Sequence, residues 1–470
     1  MSRVKVFNHY LHFPFLALAV LEFFALGTCA FISVMFEQTA ANSSVVLIDP
    51  QTITYVVTFA LVMLISTLAM GVYGAGLRES FGTMTARSVV SFCLLGSAAM
   101  VLLNYALPDV NSKRGALFGA VLLSLVTVLF LRWIFYSIVD ATKLKRRVLV
   151  IGAEVKAKAL IDSVAQEPAL GFEIASVVSV NPNRFLVPEH MLADVSGGLH
   201  KLVRSRHIQE IVVAVDDRRR DSGGYYPLDE LLDCKLTGTL ITEPVSFYER
   251  ELGKINLSEI RTGWMVFGDG FRYSQIRDFF KRGFDLLVSG VLLLITWPLM
   301  LLTALAVYLE SGAPVVYSQV RVGRNGRPFR IYKFRSMSLD AEKDGKAVWA
   351  RKNDSRVTRV GAFIRNTRLD ELPQIYNIFK GDMSLVGPRP ERPEFVETLV
   401  EEIPYYSARH RVKPGMMGWA QLKYSYGASV NDAANKLMYD LYYVKNHSLL
   451  LDFLIVVESV EVVLLGKGVR

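Results

Sequence analysis

Four apolar runs crowd the N-terminal part of the chain, and no other feature limits its fold so severely. They extend from Phe13 to Met35, Ile53 to Val72, Val89 to Leu107 and Ala116 to Val139. Each approaches the ~20 residues that a helix needs to cross hydrocarbon. The first run is too long for a cleaved signal peptide, lacks a small-residue cleavage site, and is followed by three more. The expectation is a membrane protein whose residues 1–142 form a four-helix transmembrane bundle.

Basic residues orient the bundle. Arg3 and Lys5 precede the first run, Arg78 and Arg87 flank the second loop, and "KLKRR", Lys143 to Arg147, follows the fourth run. The first loop carries no Lys or Arg, so both ends of the bundle are expected inside; Lys113 and Arg114 dissent weakly. Glu22 and Arg132 lie inside the first and fourth runs, both in the inner half, where they can pair. Such a pair reads as a joint between helices, although a carboxylate at membrane depth is also a functional candidate.

The chain is not all membrane. At 470 residues, 51% hydrophobic and with a mean hydropathy of +0.30, it is more apolar than is usual for a soluble protein and less apolar than a bare membrane bundle. Its length suggests about three units. A formal net charge of +9 suits an anionic partner such as lipid headgroups, nucleotides or phosphates. No zinc-finger or RNA-binding signature is present, so nucleic acid is not expected. The three cysteines, Cys29, Cys93 and Cys234, have neither zinc nor redox spacing and read as buried apolar residues.

Residues 143–265 read as a Rossmann-like α/β domain. "VLVIGAEVKAKALIDSV", Val148 to Val164, is a buried strand, a turn at Gly152 and a helix; "IASVVSV" and "IQEIVVAVDD" supply further strands. Strands alternating with helices argue a parallel sheet. A dinucleotide fingerprint needs three glycines, but only Gly152 is present and Lys156 stands nearby. The domain therefore reads as a packing or regulatory one. "SFYERELGKINLSEIRTGWMVF" reads as the connector out of it.

Residues 266–470 form the third unit. Its apolar run, Leu286 to Leu309, is long enough to span, yet Lys281 and Arg282 precede it and Arg321, Arg324, Arg327 and Arg330 follow. Both flanks are then inside. Pro298 at its middle removes a helical hydrogen bond. A re-entrant membrane helix over 284–309, bending at Pro298 and returning to the same face, satisfies both facts. The Thr296 hydroxyl is a candidate partner for the freed backbone groups. An ordinary kinked spanning helix is the competing reading.

The remainder carries the chemistry, as a mixed α/β cytosolic catalytic domain. "YKFRSM" places Lys333 and Arg335 on one side of a strand, able to bracket a phosphate or merely to guard an edge. "KGDMSLVGPRPERPEF" offers Asp382, then Arg389 held stiffly between Pro388 and Pro390, either for phosphate contact or as a solvated arginine on a rigid surface turn. "RHRVKPGMMGWAQ" adds Arg411 and Lys413.

The densest charge is in "IRNTRLDELPQIYN", where Asp370 and Glu371 follow Arg365 and Arg368. Pro373 is tolerated only in a first turn, which places a helix start at or just before Asp370. A helix N-terminus keeps a carboxylate ionised, as a nucleophile must be, so Asp370 is a candidate nucleophile. Glu371 is a candidate ligand for Mg²⁺, which prefers a carboxylate plus substrate phosphate oxygens. Plain N-capping explains the pair as well. "YNIFK", Tyr376 to Lys380, matches a dehydrogenase Tyr-x-x-x-Lys pattern, but the glycine-rich turn it requires upstream is missing.

Taken together, "KRGFDLLVSGVLLLITWPLMLL", "YKFRSM", "LDELPQIYNIFKGDMSLVGPRP" and "RVKPGMMGWAQ", in this order, resemble the bacterial polyprenyl-phosphate hexose-1-phosphate transferases. The resemblance covers Lys281 to the C-terminus, and the front end looks like the family's long form. The tail from "YSYGASVNDAANKLMYD" looks like the subgroup tied to exosortase-linked exopolysaccharide loci.

The resemblance implies transfer of sugar-1-phosphate from a UDP-sugar to undecaprenyl phosphate, with UMP released, at the cytoplasmic face of the bacterial inner membrane. It implies that Asp370 is the nucleophile of a phosphoryl-enzyme intermediate and that Glu371 binds Mg²⁺. Phosphate and nucleotide contacts are implied for Arg365 and for Pro388, Arg389 and Pro390. The re-entrant helix and a homodimer are family-level expectations. One departure stands out: the family often has Ser before the breaking proline, where this chain has Trp297. The rival classes are a membrane-bound nucleotide-sugar dehydratase and a non-enzymatic scaffold of a polysaccharide export machine.

Overall fold

The computed structural model describes residues 3–6, 9–40, 49–71, 81–106, 114–138, 145–165, 171–181, 184–216, 226–260, 264–265, 269–271, 274–338, 356–424, 427 and 429–465. The chain divides into two compact units, with the change at Leu252 and Gly253. The basic loop residues Arg78, Lys113 and Lys143 lie outside the described residues.

In the first unit, the four apolar runs are helices. They are Phe13–Ala40, Pro50–Ala69, Phe81–Val90 continuing through a π-helical stretch Ser91–Gly96 into Ser97–Ala106, and Arg114–Ile138. The second begins where it does because Pro50 occupies the first turn and the Asp49 carboxylate accepts from the Thr52 amide at 2.7 Å. Leu26, Phe59, Met63, Phe92, Met100 and Val128 share one core. Glu22 and Arg132 do pair: Arg132 Nε and Nη2 reach the two Glu22 oxygens at 2.6 and 2.7 Å, and Nη1 donates to Ser88. Both side chains are buried, so the charges satisfy each other away from lipid.

The same unit carries a four-stranded parallel sheet. Its spatial order is Phe172–Val178, Arg146–Ile151, Glu210–Val213, Leu240–Thr242. Strands buried on both faces read as unbroken apolar runs, and "RRVLVI" and "EIVV" show why. Val148, Val150 and Val212 join a core with Ala157, Leu160 and Phe247. Their neighbours Leu149, Ile151, Ile211 and Val213 join another with Leu199, Val203 and Leu231. Helices Val155–Ala165 and Pro244–Leu252 cover the first face, and Leu199–Ser205 and Leu228–Leu236 the second. The expected connector is thus divided: "SFYEREL" is a covering helix of this sheet, whereas Gly253 onward belongs to the second unit.

The second unit is organised around one helix, Gln275–Ser311, longer at both ends than the expected 284–309. It is inside-out. Asp285, Ser289, Thr303 and Val307 face the protein, while Leu287, Leu294, Leu302 and Leu309 are largely exposed. That pattern suits lipid rather than water. With the four N-terminal segments it makes, among the described residues, five helices long and apolar enough to cross a membrane.

The two ends of this helix are tied to one domain. Near its start, Arg282 donates to the carbonyls of Ile378 and Phe379, and the Asp285 carboxylate accepts from Ser384 and Leu385. At its finish, Arg335 Nη2 donates to the Ser311 and Gly312 carbonyls. Pro298 sits inside the helix. Proline denies a donor to the carbonyl four residues back, here Leu294. The Thr296 hydroxyl does not rescue it, because it bonds the Leu292 carbonyl at 2.7 Å. The reason is geometric: a Thr side chain bends back to the carbonyl one turn before itself.

The rest of the unit is short elements. Strands Val316–Val322 and Pro328–Phe334 form an antiparallel hairpin. Helix Arg359–Asn366, a 3₁₀ turn Leu369–Glu371 and helix Gln374–Lys380 follow. Strand Ser384–Val386 pairs in parallel with Gly415–Met417. Helix Pro393–Glu402, a 3₁₀ segment Tyr406–Arg411, and helices Trp419–Lys423, Val430–Asn446 and Leu449–Leu465 make up most of the remainder.

Candidate active site

Arg368 sets the site's geometry. It adopts a left-handed conformation, φ 61°, which ends the preceding helix and turns the chain. The next residues close i to i+3 bonds, Glu371 N to Arg368 O and Leu372 N to Leu369 O, both at 3.2 Å. Asp370 and Glu371 therefore lie in a 3₁₀ turn, and the α-helix proper begins at Gln374 with Pro373 as its cap. The expected helix start at Asp370 is displaced because Pro373 has no amide to give to a bond from the dyad's turn.

Both carboxylates are buried, yet their surroundings differ. Glu371 Oε1 accepts from Arg389 Nη2 at 2.6 Å and Lys333 Nζ at 3.0 Å, with Arg368 at 3.9 Å. Asp370 has no hydrogen bond or ion pair among the described residues. Burial would raise Glu371, but Arg389 and Lys333 overcome it and hold the group well below the usual carboxylate range. Burial raises Asp370, and the Glu371 charge adds to it, while Lys333 and Arg389 oppose. The expectation that a helix N-terminus would lower Asp370 is therefore reversed: desolvation dominates, and the cations are committed to its neighbour.

Each cation is aimed by its backbone. Lys333 sits on strand Pro328–Phe334, which is fixed to the dyad's helix by one side chain. The Asn377 amide donates to the Arg330 carbonyl at 2.6 Å and accepts from the Tyr332 amide at 3.1 Å, as a neighbouring strand would. Burial lowers the Lys333 amine despite the opposing pull of Glu371. Arg389 stands between Pro388 and Pro390, directly after strand Ser384–Val386. Glycines let that strand and its partner touch backbone to backbone: a Cβ on Gly387 would meet the Lys413 carbonyl, and one on Gly415 the Gly387 amide.

The other expected residues lie apart. Arg335 is buried but caps the end of the long helix at Ser311 and Gly312. Arg365, in the last turn of its helix, makes no side-chain hydrogen bond or ion pair among the described residues; Arg368 approaches the dyad instead. Asp382 pairs with Lys380 at 2.8 Å on the surface. Arg411 is exposed, whereas Arg409, two residues earlier, is buried against Asp440. Sequence reasoning passed over Asn377 and Arg409 and gave Arg368, named among the cations before the dyad, no role of its own; only their place inside motifs already singled out marks them.

Among the described residues no three His, Cys, Asp or Glu side chains gather as a metal site. The donor set still suits Mg²⁺, which commonly takes one or two carboxylates and completes its shell with water and substrate phosphates. Lys333, Arg368 and Arg389 all approach Glu371 through Oε1, and Glu371 is the carboxylate of the dyad that would hold the ion.

The parallel sheet offers a second place to look, and it is filled. The Asp216 carboxylate accepts from the Val155 and Lys156 amides at 3.0 and 3.2 Å, occupying the helix start where a pyrophosphate would bind. Gly152, φ 110°, serves packing: a Cβ there would meet the Ala214 carbonyl.

The family described as bacterial sugar transferase matches residues 276–466. An Aeromonas hydrophila protein named UDP-N-acetylgalactosamine-undecaprenyl-phosphate N-acetylgalactosaminephosphotransferase is 50% identical over 197 residues, 42% of this chain and 46% of that protein. The chain thus spans less than half the length of that relative. A Klebsiella pneumoniae UDP-glucose:undecaprenyl-phosphate glucose-1-phosphate transferase is 33% identical over 322 residues, 66% of each chain. An uncharacterized sugar transferase of Bacillus subtilis (strain 168) is 39% identical over 190 residues, 40% of this chain and 90% of that protein.

Proposed function

This chain belongs to the bacterial sugar transferase family, and from that premise we propose that it moves sugar-1-phosphate from a UDP-sugar to undecaprenyl phosphate. The products are UMP and undecaprenyl-diphosphate-sugar, the first membrane step of an exopolysaccharide repeat unit. The observation that carries the proposal is the asymmetry of the dyad: one carboxylate buried with no hydrogen bond or ion pair among the described residues, the next held by Arg389 and Lys333.

The mechanism is a double displacement. An Asp370 oxygen attacks the sugar-bearing phosphorus. The bridging P–O bond breaks, and UMP departs with its electrons. The acyl phosphate on Asp370 is then attacked by an oxygen of the lipid phosphate. The P–O bond to Asp370 breaks, the carboxylate is restored, and the diphosphate forms. An unpaired, desolvated carboxylate is a stronger nucleophile than a solvated one, provided it stays ionised. Arg389 and Lys333 hold Glu371 in place and lower the repulsion between an anionic nucleophile and an anionic donor. Glu371 would hold Mg²⁺, and the ion would supply positive charge against the leaving phosphate.

The long helix is re-entrant on this reading, with the dyad at the cytoplasmic face of the inner membrane. Its support is that both ends bind the same domain. A helix crossing a bilayer would place its ends on opposite sides. The parallel sheet is then a Rossmann-like packing domain, its nucleotide turn closed by Asp216.

The test is a screen of UDP-sugars, beginning with glucose and N-acetylgalactosamine, reading UMP release by purified protein with Mg²⁺ and undecaprenyl phosphate. Donor labelled in the sugar phosphate should leave label on the protein when lipid is omitted. Asp370→Asn should hold none and release no UMP; near-normal turnover in that variant would sink the nucleophile assignment.

A further inference from the structure

Pro388 and Pro390 have no amide hydrogen, so beyond the Gly387 amide, which donates to the Met417 carbonyl at 2.9 Å, the loop around Arg389 has few donors of its own. It is fixed through its carbonyls, one after another. Val386 O accepts from Tyr443 Oη at 3.0 Å and Lys281 Nζ at 3.2 Å. Pro388 O accepts from the Gly415 amide at 3.0 Å, and Glu391 O from the Val322 amide at 2.9 Å. Pro390 O accepts from Arg321 Nη1 at 3.2 Å. The carbonyl of Arg389 itself accepts from Arg409 Nη2 at 2.9 Å.

Arg409 is the most heavily braced of these donors. It is buried, and its Nε and Nη2 lie 3.0 and 2.7 Å from Asp440 Oδ2. Nη1 donates to the Tyr406 hydroxyl at 2.8 Å. Asp440 is buried on helix Val430–Asn446. A buried ion pair is a poor source of stability, since well-packed apolar residues commonly serve as well. An apolar pair could not donate to the Arg389 carbonyl.

We propose that Arg409, braced by Asp440, is a positioning residue: it fixes the backbone of Arg389 and thereby the guanidinium on Glu371. The relay runs Asp440, Arg409, Arg389 carbonyl, Arg389 guanidinium, Glu371. The proposal deepens the function put forward above and rests on it for the catalytic consequence. The contact to the Arg389 backbone does not depend on which reaction the site performs.

The experiment is a double-mutant cycle on the full-length protein. Arg409→Lys keeps the charge toward Asp440 and loses the planar fork. In the parent it should lower UMP release by about 10- to 100-fold, the scale of a misplaced catalytic group. In an Arg389→Ala background it should add less than about 2-fold, because the group it positions is gone. An equal loss in both backgrounds, or no loss in the parent, overturns the proposal. Amide hydrogen exchange at Gly387 and Val322 supplies a readout independent of the reaction. Exchange should quicken in Arg409→Lys, and unchanged protection overturns the clamp. Faster exchange in a protein that releases no UMP from any donor would remove the reaction and keep the clamp. If Arg409→Lys does not fold, Asp440→Asn takes its place in both measurements with the same expectations.

Discussion

The Arg389 guanidinium donates to the Glu371 carboxylate at 2.6 Å, joining residues 18 positions apart. Lys333 reaches the same oxygen from the hairpin, so three separate chain segments meet on one atom. Glu371 is thereby the fixed point of the site, and Asp370 is held beside it in the same 3₁₀ turn. Arg389→Lys retains the charge but loses the fork, and should reduce UMP release by about 10²-fold, the effect of deleting one oriented donor. A loss under about 3-fold would mean that charge alone suffices.

Lys333 is the largest cationic influence on Asp370, opposing the burial that raises it. Removing that charge destabilises the Asp370 anion, so its pKa rises further. More of the enzyme is then protonated at a given acidic pH. In Lys333→Met the acid limb of the rate against pH should move to higher pH, with the fall at neutral pH smaller than at pH 5. Glu371, Arg389 and Arg368 also face Asp370 and remain in the variant. An unshifted limb would show that another group controls it.

What could be read in advance depended on whether the physics was local. The Glu22–Arg132 pair was legible because membrane leaves an isolated charge nowhere else to go. The parallel sheet was legible from its apolar runs; its short last strand, Leu240–Thr242, was not, having too few residues to show a pattern. Charges inside motifs were legible as a group but not individually. Arg365 and Arg368 look alike in sequence, and only the left-handed turn at Arg368 decides which nears Glu371. Arg409 and Arg411 differ only by the face of a 3₁₀ turn. The reversal at Asp370 was not readable, because burial is a property of the folded surroundings.

The Glu22–Arg132 pair yields a prediction about stability. Both groups are almost wholly buried, and Ser88 completes the arginine's bonding. Glu22→Gln or Arg132→Met alone leaves a charge without its partner, which costs about 3–5 kcal/mol. The double variant removes both charges and should recover most of that loss. Thermal unfolding in detergent would check it: singles well below the parent, the double close to it. A double as unstable as the sum of the singles would show that the two charges act independently.

His447 predicts loss of stability in acid. It is buried at the end of helix Val430–Asn446, its Nδ1 2.9 Å from the Val444 carbonyl. Burial, with Arg277 and Lys281 nearby, lowers its pKa to about 4. The unfolded chain binds a proton near the ordinary value of about 6.5. The neutral ring's contribution is therefore intact above that pH and is lost as pH falls toward 4. The difference is about 3 kcal/mol at most. His447→Gln should flatten the decline in unfolding midpoint between pH 6.5 and 4. An equally steep decline would assign it to another group, above all His410, whose pKa burial also lowers to about 4.

The re-entrant reading is decided by where the hairpin lies. Val320, on the strand that follows the long helix, is exposed, and its position is on the same side as the start of the helix only if the chain turns back at Pro298. With Cys29, Cys93 and Cys234 replaced, Val320→Cys leaves one thiol. A membrane-impermeant maleimide should label it in inside-out vesicles and not in intact cells or spheroplasts. Ile276→Cys, at the exposed start of the helix, should behave identically in the same background. If the Val320→Cys variant labels from outside while the Ile276→Cys variant labels from inside, the helix spans, and its two ends do not share one domain. Replacing the proline inside the helix, Pro298→Ala, tests the cause. The Leu294 carbonyl regains its donor, and the variant should either lose its anchorage at Arg335 or turn the hairpin outward, each visible as a changed labelling pattern of the thiol introduced at Val320.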